Sequence, residues 1–387
     1  MRDIVLLKCS DYNVLKIENK IREGFELLGG EEFLKKLIPY NSKVLLKPNM
    51  LSVEKAGSPV ITHYAFFEAV IRVLKDYSKD ITFGDSPGFG DSKKVAENAG
   101  LLKVANKYDV KFDNFTKSVH VKSDESILCR SWTLAKAAYE SDVLITLPKL
   151  KTHAMAYYTG AIKNQFGCVP GTLKAQWHTR MPNANNFCKM LLDLNKILHT
   201  DFAILDGIVA MEGNGPKSGT PYNLNSIIMG ESLTAVDSTA VKLIGYDDPL
   251  EIPFLKEAYE NKWDDVLEKD INVLGEKIEN MAVKDFEKCR KGGSFYFINP
   301  TVTNFLRDII APDPVVIKDK CIGCERCLNV CPEKPKVIKM VKYKDKYIPK
   351  WDMKNCIRCF CCQELCPKGA IETKYSVLGR ILNKNRR

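Results

Sequence analysis

Cys321-Ile-Gly-Cys324-Glu-Arg-Cys327-Leu-Asn-Val-Cys331-Pro332 returns 35 residues later as Cys356-Ile-Arg-Cys359-Phe-Cys-Cys362-Gln-Glu-Leu-Cys366-Pro367. Three cysteines at intervals of three let a tight loop wrap one iron–sulfur core, with backbone amides facing the sulfurs. The fourth leaves on a helical turn, and the proline behind it turns the chain away, so each run lends its last thiolate to the other cluster. The spacing therefore predicts two 4Fe–4S clusters. One is held by Cys321, Cys324, Cys327 and Cys366, the other by Cys356, Cys359, Cys362 and Cys331. A structural zinc site also uses Cys-x2-Cys pairs, but it needs two such pairs, whereas each run here offers four cysteines. Cys361 stands where Arg326 stands in the first run and reads as a bystander that tunes its surroundings.

Such paired runs are the ligand pattern of a two-cluster bacterial ferredoxin, which makes electron transfer the expected function. At 387 residues the chain is long enough for two or three modules. Its 45% hydrophobic and 27% charged content is ordinary for a globular protein. No apolar run approaches the ~18 residues that span a bilayer, and the opening MRDIVLLKCSDY reads as a strand rather than a signal peptide. Of 14 cysteines, the six outside the ligand set (Cys9, Cys129, Cys168, Cys188, Cys289 and Cys361) lack framework spacing. A reducing cytoplasm is expected.

From Val315 onward, 18 Lys and Arg stand against 7 Asp and Glu, or +11; the preceding residues hold 40 against 41, or −1. Two oxidised clusters with their thiolates return about −4 of that charge. The remaining basic surface suits docking of an acidic electron donor or acceptor protein, or serves solubility. No nucleic-acid recognition motif accompanies it, so nucleic-acid binding is not expected.

Before the cysteine runs, short β-branched stretches alternate with amphipathic ones. Strands are expected at 4–8, 43–47, 80–83, 142–147, 202–206 and 226–229. Helices are expected from Val14 to Leu28, His63 to Tyr77, Ser92 to Lys107, Leu134 to Glu140, Ala184 to Leu198 and Leu233 to Ile244. This alternation predicts an α/β fold, a largely parallel sheet with helices on both faces, plus a small C-terminal α+β ferredoxin-like domain. The expected boundaries are an α/β domain at 1–298, a proline-bearing linker at 299–314, a cluster domain at 315–375 and a basic tail at 376–387.

In an open parallel sheet, ligands bind outside the carboxyl ends of the strands. Four expected strand ends carry unusual polar residues: Lys47 with Asn49, Asp85, Lys149 with Lys151 and His153, and Asp206. The glycine-bounded loop 160–171 adds Lys163, Asn164, Gly167 and Cys168, with Lys174 and His178 behind it. The lysines suggest an anionic small-molecule substrate. In that reading His153, Lys163 and His178 act catalytically, and the histidines donate protons. The carboxylates and histidines, including Glu212, could instead hold a divalent metal. Each feature has a plainer alternative: a solvated lysine, a packed histidine, or, for Gly84-Asp85-Ser86-Pro87-Gly88, a mere turn. Residues 213–219 lack Walker-loop spacing, and Gly88-x-Gly90 has no third glycine for a dinucleotide fold, so a nucleotide cofactor is not supported.

VLLKPNM (44–50), GDSPG (84–88), LPKLKTH (147–153), TGAIKNQFGCVPG (159–171) and LDGIVAMEGNGPKSGTP (205–221) resemble the domain-of-unknown-function family 362. Members of that family are often fused to ferredoxin modules and are at home in anaerobes, so the resemblance implies an anaerobic, iron–sulfur setting. Fusion of a carrier to a lysine-rich site points to a ferredoxin-coupled oxidoreductase. Tethering brings donor and acceptor to roughly millimolar effective concentration. A further metal or flavin could mediate. The alternatives are a non-catalytic electron carrier or assembly factor, and a non-redox enzyme acting on an acid with structural clusters.

Overall fold

Runs of Val, Ile and Leu bury one side of a strand on each face of a sheet, and here both faces are covered. The computed structural model describes residues 1–289 and 313–374, apart from Phe89, Thr172, Ala175, Gln176, 178–180, 182–183, Asp264, Pro332, Lys334, 357–359 and Leu365. The strands are β1 (Arg2–Lys8), β2 (Val44–Pro48), β3 (Ile81–Gly84), β4 (Lys111–Asp113), β5 (Ser118–Lys122), β6 (Ser131–Ala135), β7 (Val143–Leu147), β8 (Lys149–His153), β9 (Tyr157–Thr159), β10 (Phe202–Glu212), β11 (Thr220–Tyr222), β12 (Ser226–Gly230) and β13 (Ile271–Gly275). Among the described residues, eleven of them form one sheet with a spine ordered β13-β1-β12-β10-β7-β2-β3-β4, while β5 and β6 make a separate hairpin.

The run from β10 through β7, β2 and β3 to β4 is parallel. Only β12, set between β1 and β10, and the short β9 and β11 pair antiparallel. Alternate residues along each strand face opposite layers. Ile4, Leu6 and Leu45 join one core with helices Ala184–Leu198, Leu233–Leu243 and Pro253–Glu260. Val5, Leu7, Val44 and Leu46 join the other with helices Val14–Leu27 and Tyr64–Leu74. Phe66 and Phe67 of the latter helix are fully buried, each contributing ~1.5–3 kcal/mol by leaving water.

Three local expectations change. Ser92 to Lys107 divides into helices Ser92–Asn98 and Leu101–Lys107, because Gly100 takes φ +80°, a left-handed conformation that stops a helix. Leu134 and Ala135 lie in β6, where Trp132 and Leu134 point inward, and only Lys136–Tyr139 is helical. The stretch after β7 is itself a strand, β8. The cause is β10, which runs eleven residues and pairs first with β7 and then, past a bulge, with β8.

At the C-terminal end, β14 (Asp313–Val316) pairs antiparallel with β17 (Ile371–Lys374), and β15 (Ile338–Tyr343) with β16 (Lys346–Trp351). Short helices Arg326–Val330 and Cys361–Glu364 carry the ends of the two cysteine runs. Asp313 and Pro314 thus belong to β14; the remainder of the expected linker and the basic tail lie outside the described residues.

Candidate functional site

The carboxyl ends of β2, β3 and β7 lie on one edge of the sheet, and the loop 160–171 folds over them. Together they enclose a cavity of about 100 Å³. Lys47, Asn49, Asp85, Lys151, Lys163, Asn164, Gly167 and Lys174 all line it, joined by Ser86 and Thr159 and by apolar Leu51, Phe166 and Pro216. Four of these residues are lysines and one is a carboxylate, so the cavity is cationic.

The lysines differ in how they are held. Lys47 pairs with Asp85 at 2.9 Å and also donates to Asn164 Oδ1 at 3.1 Å. Lys151 donates to Asn49 Oδ1 at 2.9 Å and to the Val60 carbonyl at 2.6 Å. Asn49 in turn donates to Asn164 Oδ1, and Met50 N–H to Asp85 Oδ2, which ties the β2, β3 and loop segments together. Lys174 donates to Ser86 Oγ and to the Val169 carbonyl. Burial holds its ammonium down to about 7, against an upward pull from Asp85 and a further downward push from Lys47. Lys163 stands half-buried at the wall. Gly167 packs so closely that an added Cβ would sit 1.9 Å from Asp85 Oδ1 and 2.6 Å from Lys47 Nζ, so a side chain there collides with the ion pair.

Asp237, on helix Leu233–Leu243, sets the pose of the loop. Its carboxylate accepts from Ala161 N at 2.6 Å, Ile162 N at 2.9 Å and the Tyr158 hydroxyl at 3.1 Å. It thereby holds the start of the turn that carries Lys163. Burial raises its carboxyl to about 7, even though those donors favour the charged form. Cys168 lies in the same loop, but burial pushes its thiol up to about 12, which keeps it protonated and a poor nucleophile.

Other expected site residues lie elsewhere. Lys149 and Asp206 are an ion pair of 2.9 Å in a second buried group, with Tyr12 bridging them: its hydroxyl accepts from Lys149 at 2.7 Å and donates to Asp206 at 2.8 Å. His63 stacks on Tyr12 with ring centroids 3.5 Å apart, and burial lowers its imidazole to about 4. Tyr12 and His63 carry no local signal; only the fold sets them beside Asp206. His153 is fully buried, its Nδ1 accepts from Met155 N and Ala156 N at 3.1 Å each, and it is not among the cavity-lining residues. His178 lies outside the described residues. Among the described residues, no three His, Cys, Asp or Glu side chains converge as ligands for a single metal ion. Glu212 instead accepts from the Glu287 N–H.

In the C-terminal module, Cys321, Cys324, Cys327 and Cys366 line one small cavity, the four thiols that the spacing assigns to one cluster. Three thiols come from the first run and one from the second, as cluster sharing requires. Cys331, Cys356 and Cys362 of the other set are buried in the module's core, and Cys359 lies outside the described residues. The donor set and its enclosure fit iron–sulfur cores. The module also closes the lysine cavity: Val330 and Cys361 are in its wall. Gln363 donates to Asn214 Oδ1 of the α/β body, beside Pro216.

A dicluster module of this kind marks an iron–sulfur electron-carrier protein. A family model described as "4Fe-4S dicluster domain" matches residues 320–370, and one described as "Domain of unknown function (DUF362)" matches residues 44–242. The chain belongs to the DUF362 family. It is 34% identical over 254 residues to a thylakoid-associated protein of Synechocystis sp., a match covering 65% of this chain and 77% of that protein. Its C-terminal part is 38% identical over 68 residues to an uncharacterized ferredoxin of Methanocaldococcus jannaschii, 17% of this chain and 82% of that protein. Among solved structures, the lactate racemase apoprotein from Thermoanaerobacterium thermosaccharolyticum overlaps 59% of this chain and 54% of that one, at 12% identity. Its TM-score of 0.39 is too low to bear on fold or chemistry. Among the described residues, no helix is long and apolar enough to cross a membrane.

Proposed function

We propose that the protein is an oxidoreductase that passes electrons between its two clusters and a small anionic ligand held in the lysine cavity. One observation carries this reading. Val330 and Cys361, which wall the cavity, are the chain neighbours of Cys331 and Cys362, two thiolates assigned to the same cluster. A cluster held by these thiolates would stand one residue away from the cavity wall. When bound, the clusters supply single electrons at low potential.

The body's own residues supply the rest. Lys163 and Lys174 offer positive charge to the ligand, while Lys47 and Lys151, tied to Asp85 and Asn49, hold the frame. Leu51, Phe166 and Pro216 exclude water from one side, which strengthens each ionic contact. The cavity, of about 100 Å³, suits a small ligand. Cys324 is exposed, which suits a cluster kept from oxygen and so an anaerobic, reducing compartment such as the cytoplasm. The basic face of the module suits an acidic redox partner.

The test is reoxidation of the anaerobically reduced protein by small carboxylates and oxyanions, followed by the visible absorbance of the clusters. Lys163→Ala removes one side of a partly desolvated ion pair and is expected to weaken ligand binding ~30-fold or more with iron content unchanged. If Lys163→Ala reoxidises like the wild type with every compound that oxidises the wild type, the cavity is not the site.

A further inference from the structure

Ser86 Oγ accepts two hydrogen bonds, 2.8 Å from Gly171 N and 2.8 Å from Lys174 Nζ. A hydroxyl oxygen has two lone pairs and one hydrogen. Both lone pairs are taken, so the hydrogen must point away from these donors, and no acceptor for it stands among the described residues. Ser86 and Lys174 both line the lysine cavity, at 7% and 8% exposure. Lys174 gives two of its three N–H bonds to Ser86 Oγ and the Val169 carbonyl, which among the described residues leaves one more donor. On the same wall the Thr159 hydroxyl, 3% exposed, has no hydrogen-bond partner among the described residues. A space bordered by these unfilled donors, with four lysines against one carboxylate, is complementary to a ligand rich in acceptors.

We propose that Ser86 and Lys174 form a proton-donating pair that recognises a small oxyanion, a carboxylate or a comparable group, and supplies the proton that accompanies its reduction. This deepens the function proposed above and rests on it. For each proton the ligand takes up, the Ser86 hydroxyl proton would move to a ligand oxygen and a Lys174 proton to Ser86 Oγ. Lys174 is then a neutral amine, which solvent reprotonates, so each turn of the relay delivers one proton. The pair takes the part that His153 was expected to play: His153 does not line the cavity, whereas Ser86 and Lys174 do.

Asp85 and Lys47 face Lys174 across the cavity, Cys168 lies beside it, and Lys151 and Lys163 occupy the other walls. Lys174 is charged below about 7 and neutral above it. An oxyanion binds the charged form, so affinity falls as pH rises through that value, and binding above it takes up a proton.

Calorimetric titration of the cluster-loaded full chain with sulfate and with oxalate decides the matter, since both probes keep constant charge from pH ~5.5 to ~8.5. The wild type is expected to bind at least one probe ~10-fold more weakly at the upper pH than at the lower, with proton uptake seen as buffer-dependent heat. Ser86→Ala should weaken that probe ~10-fold at every pH without loss of iron. Lys174→Arg should abolish the pH break and the proton uptake. Should Lys174→Arg not fold, the wild-type proton uptake and the Ser86→Ala titration still decide. A wild-type profile flat through pH ~7, or Ser86→Ala binding like the wild type, overturns the pair while leaving the cavity intact if Lys163→Ala still loses binding. If neither probe binds the wild type at any pH, both the pair and the function proposed above fall. Sulfate binding alone would mark the site as tetrahedral-oxyanion specific, and oxalate binding alone as carboxylate specific.

Discussion

The cluster module and the α/β body hold their functional groups in opposite ways. In the module, three of the four thiols lining one cavity come from seven consecutive residues, Cys321 to Cys327, and the fourth is Cys366. In the body, the lysine cavity draws on strand ends and loops scattered from Lys47 to Pro216, each fixed by partners from another segment. The module's chemistry is therefore local and depends on metal binding. The body's cavity is assembled globally and depends on buried polar pairs keeping their register.

That contrast can be broken most forcefully at the cysteines. The wild type prepared without oxygen should hold ~eight irons and eight sulfides per chain, and Cys366→Ser should lose about half while the body's thermal unfolding stays put. Two zincs per chain in place of iron, or collapse of the body's melt, would erase the distinction.

The next effect belongs to the body alone. Lys149→Met strands the Asp206 carboxylate, fully buried, without its counter-ion, and should cost ~3–5 kcal/mol in urea unfolding with iron content unchanged. A loss below ~1 kcal/mol would mean that the Lys149–Asp206–Tyr12 group is not what secures this edge of the sheet.

The smallest effect lies between the two regions. Gln363→Ala removes the donor to Asn214 and should cost only ~1 kcal/mol. Hydrogen exchange of the 213–219 segment should quicken while the strands of the sheet stay protected. Unchanged exchange there would show that the module does not steady the cavity wall.

Much of the body was legible because burial on both faces of a sheet leaves a run of apolar residues on most of its central strands. β1, β2, β3, β7 and β12 are expected from short apolar runs and are present. β8 is not, because Lys149, Lys151 and His153 carry none of that signature; β8 forms because the long β10 offers it a partner. The same distinction separates the site residues. Lys47, Asp85 and Lys151 could be picked out as polar residues at strand ends, and Lys163 in the glycine-bounded loop 160–171. Ser86, inside a run of turn formers, could not be singled out, since its role rests on which donors fill its lone pairs. Lys149 and Asp206 have the right residue types at the right edge, yet they neutralise each other away from the cavity.

By itself, then, the sequence determined the two-cluster module, the α/β layering and the edge of the sheet where polar residues gather. These follow from short-range spacing, which survives without knowledge of contacts. Tertiary structure alone decided which lysine faces the cavity and which is spent on a carboxylate. It also decided that His153 serves a turn and that the module's Val330 and Cys361 close the wall. The physical reason is that a charge's role depends on what lies within hydrogen-bonding distance of it, and those neighbours are set by packing between segments far apart in the chain.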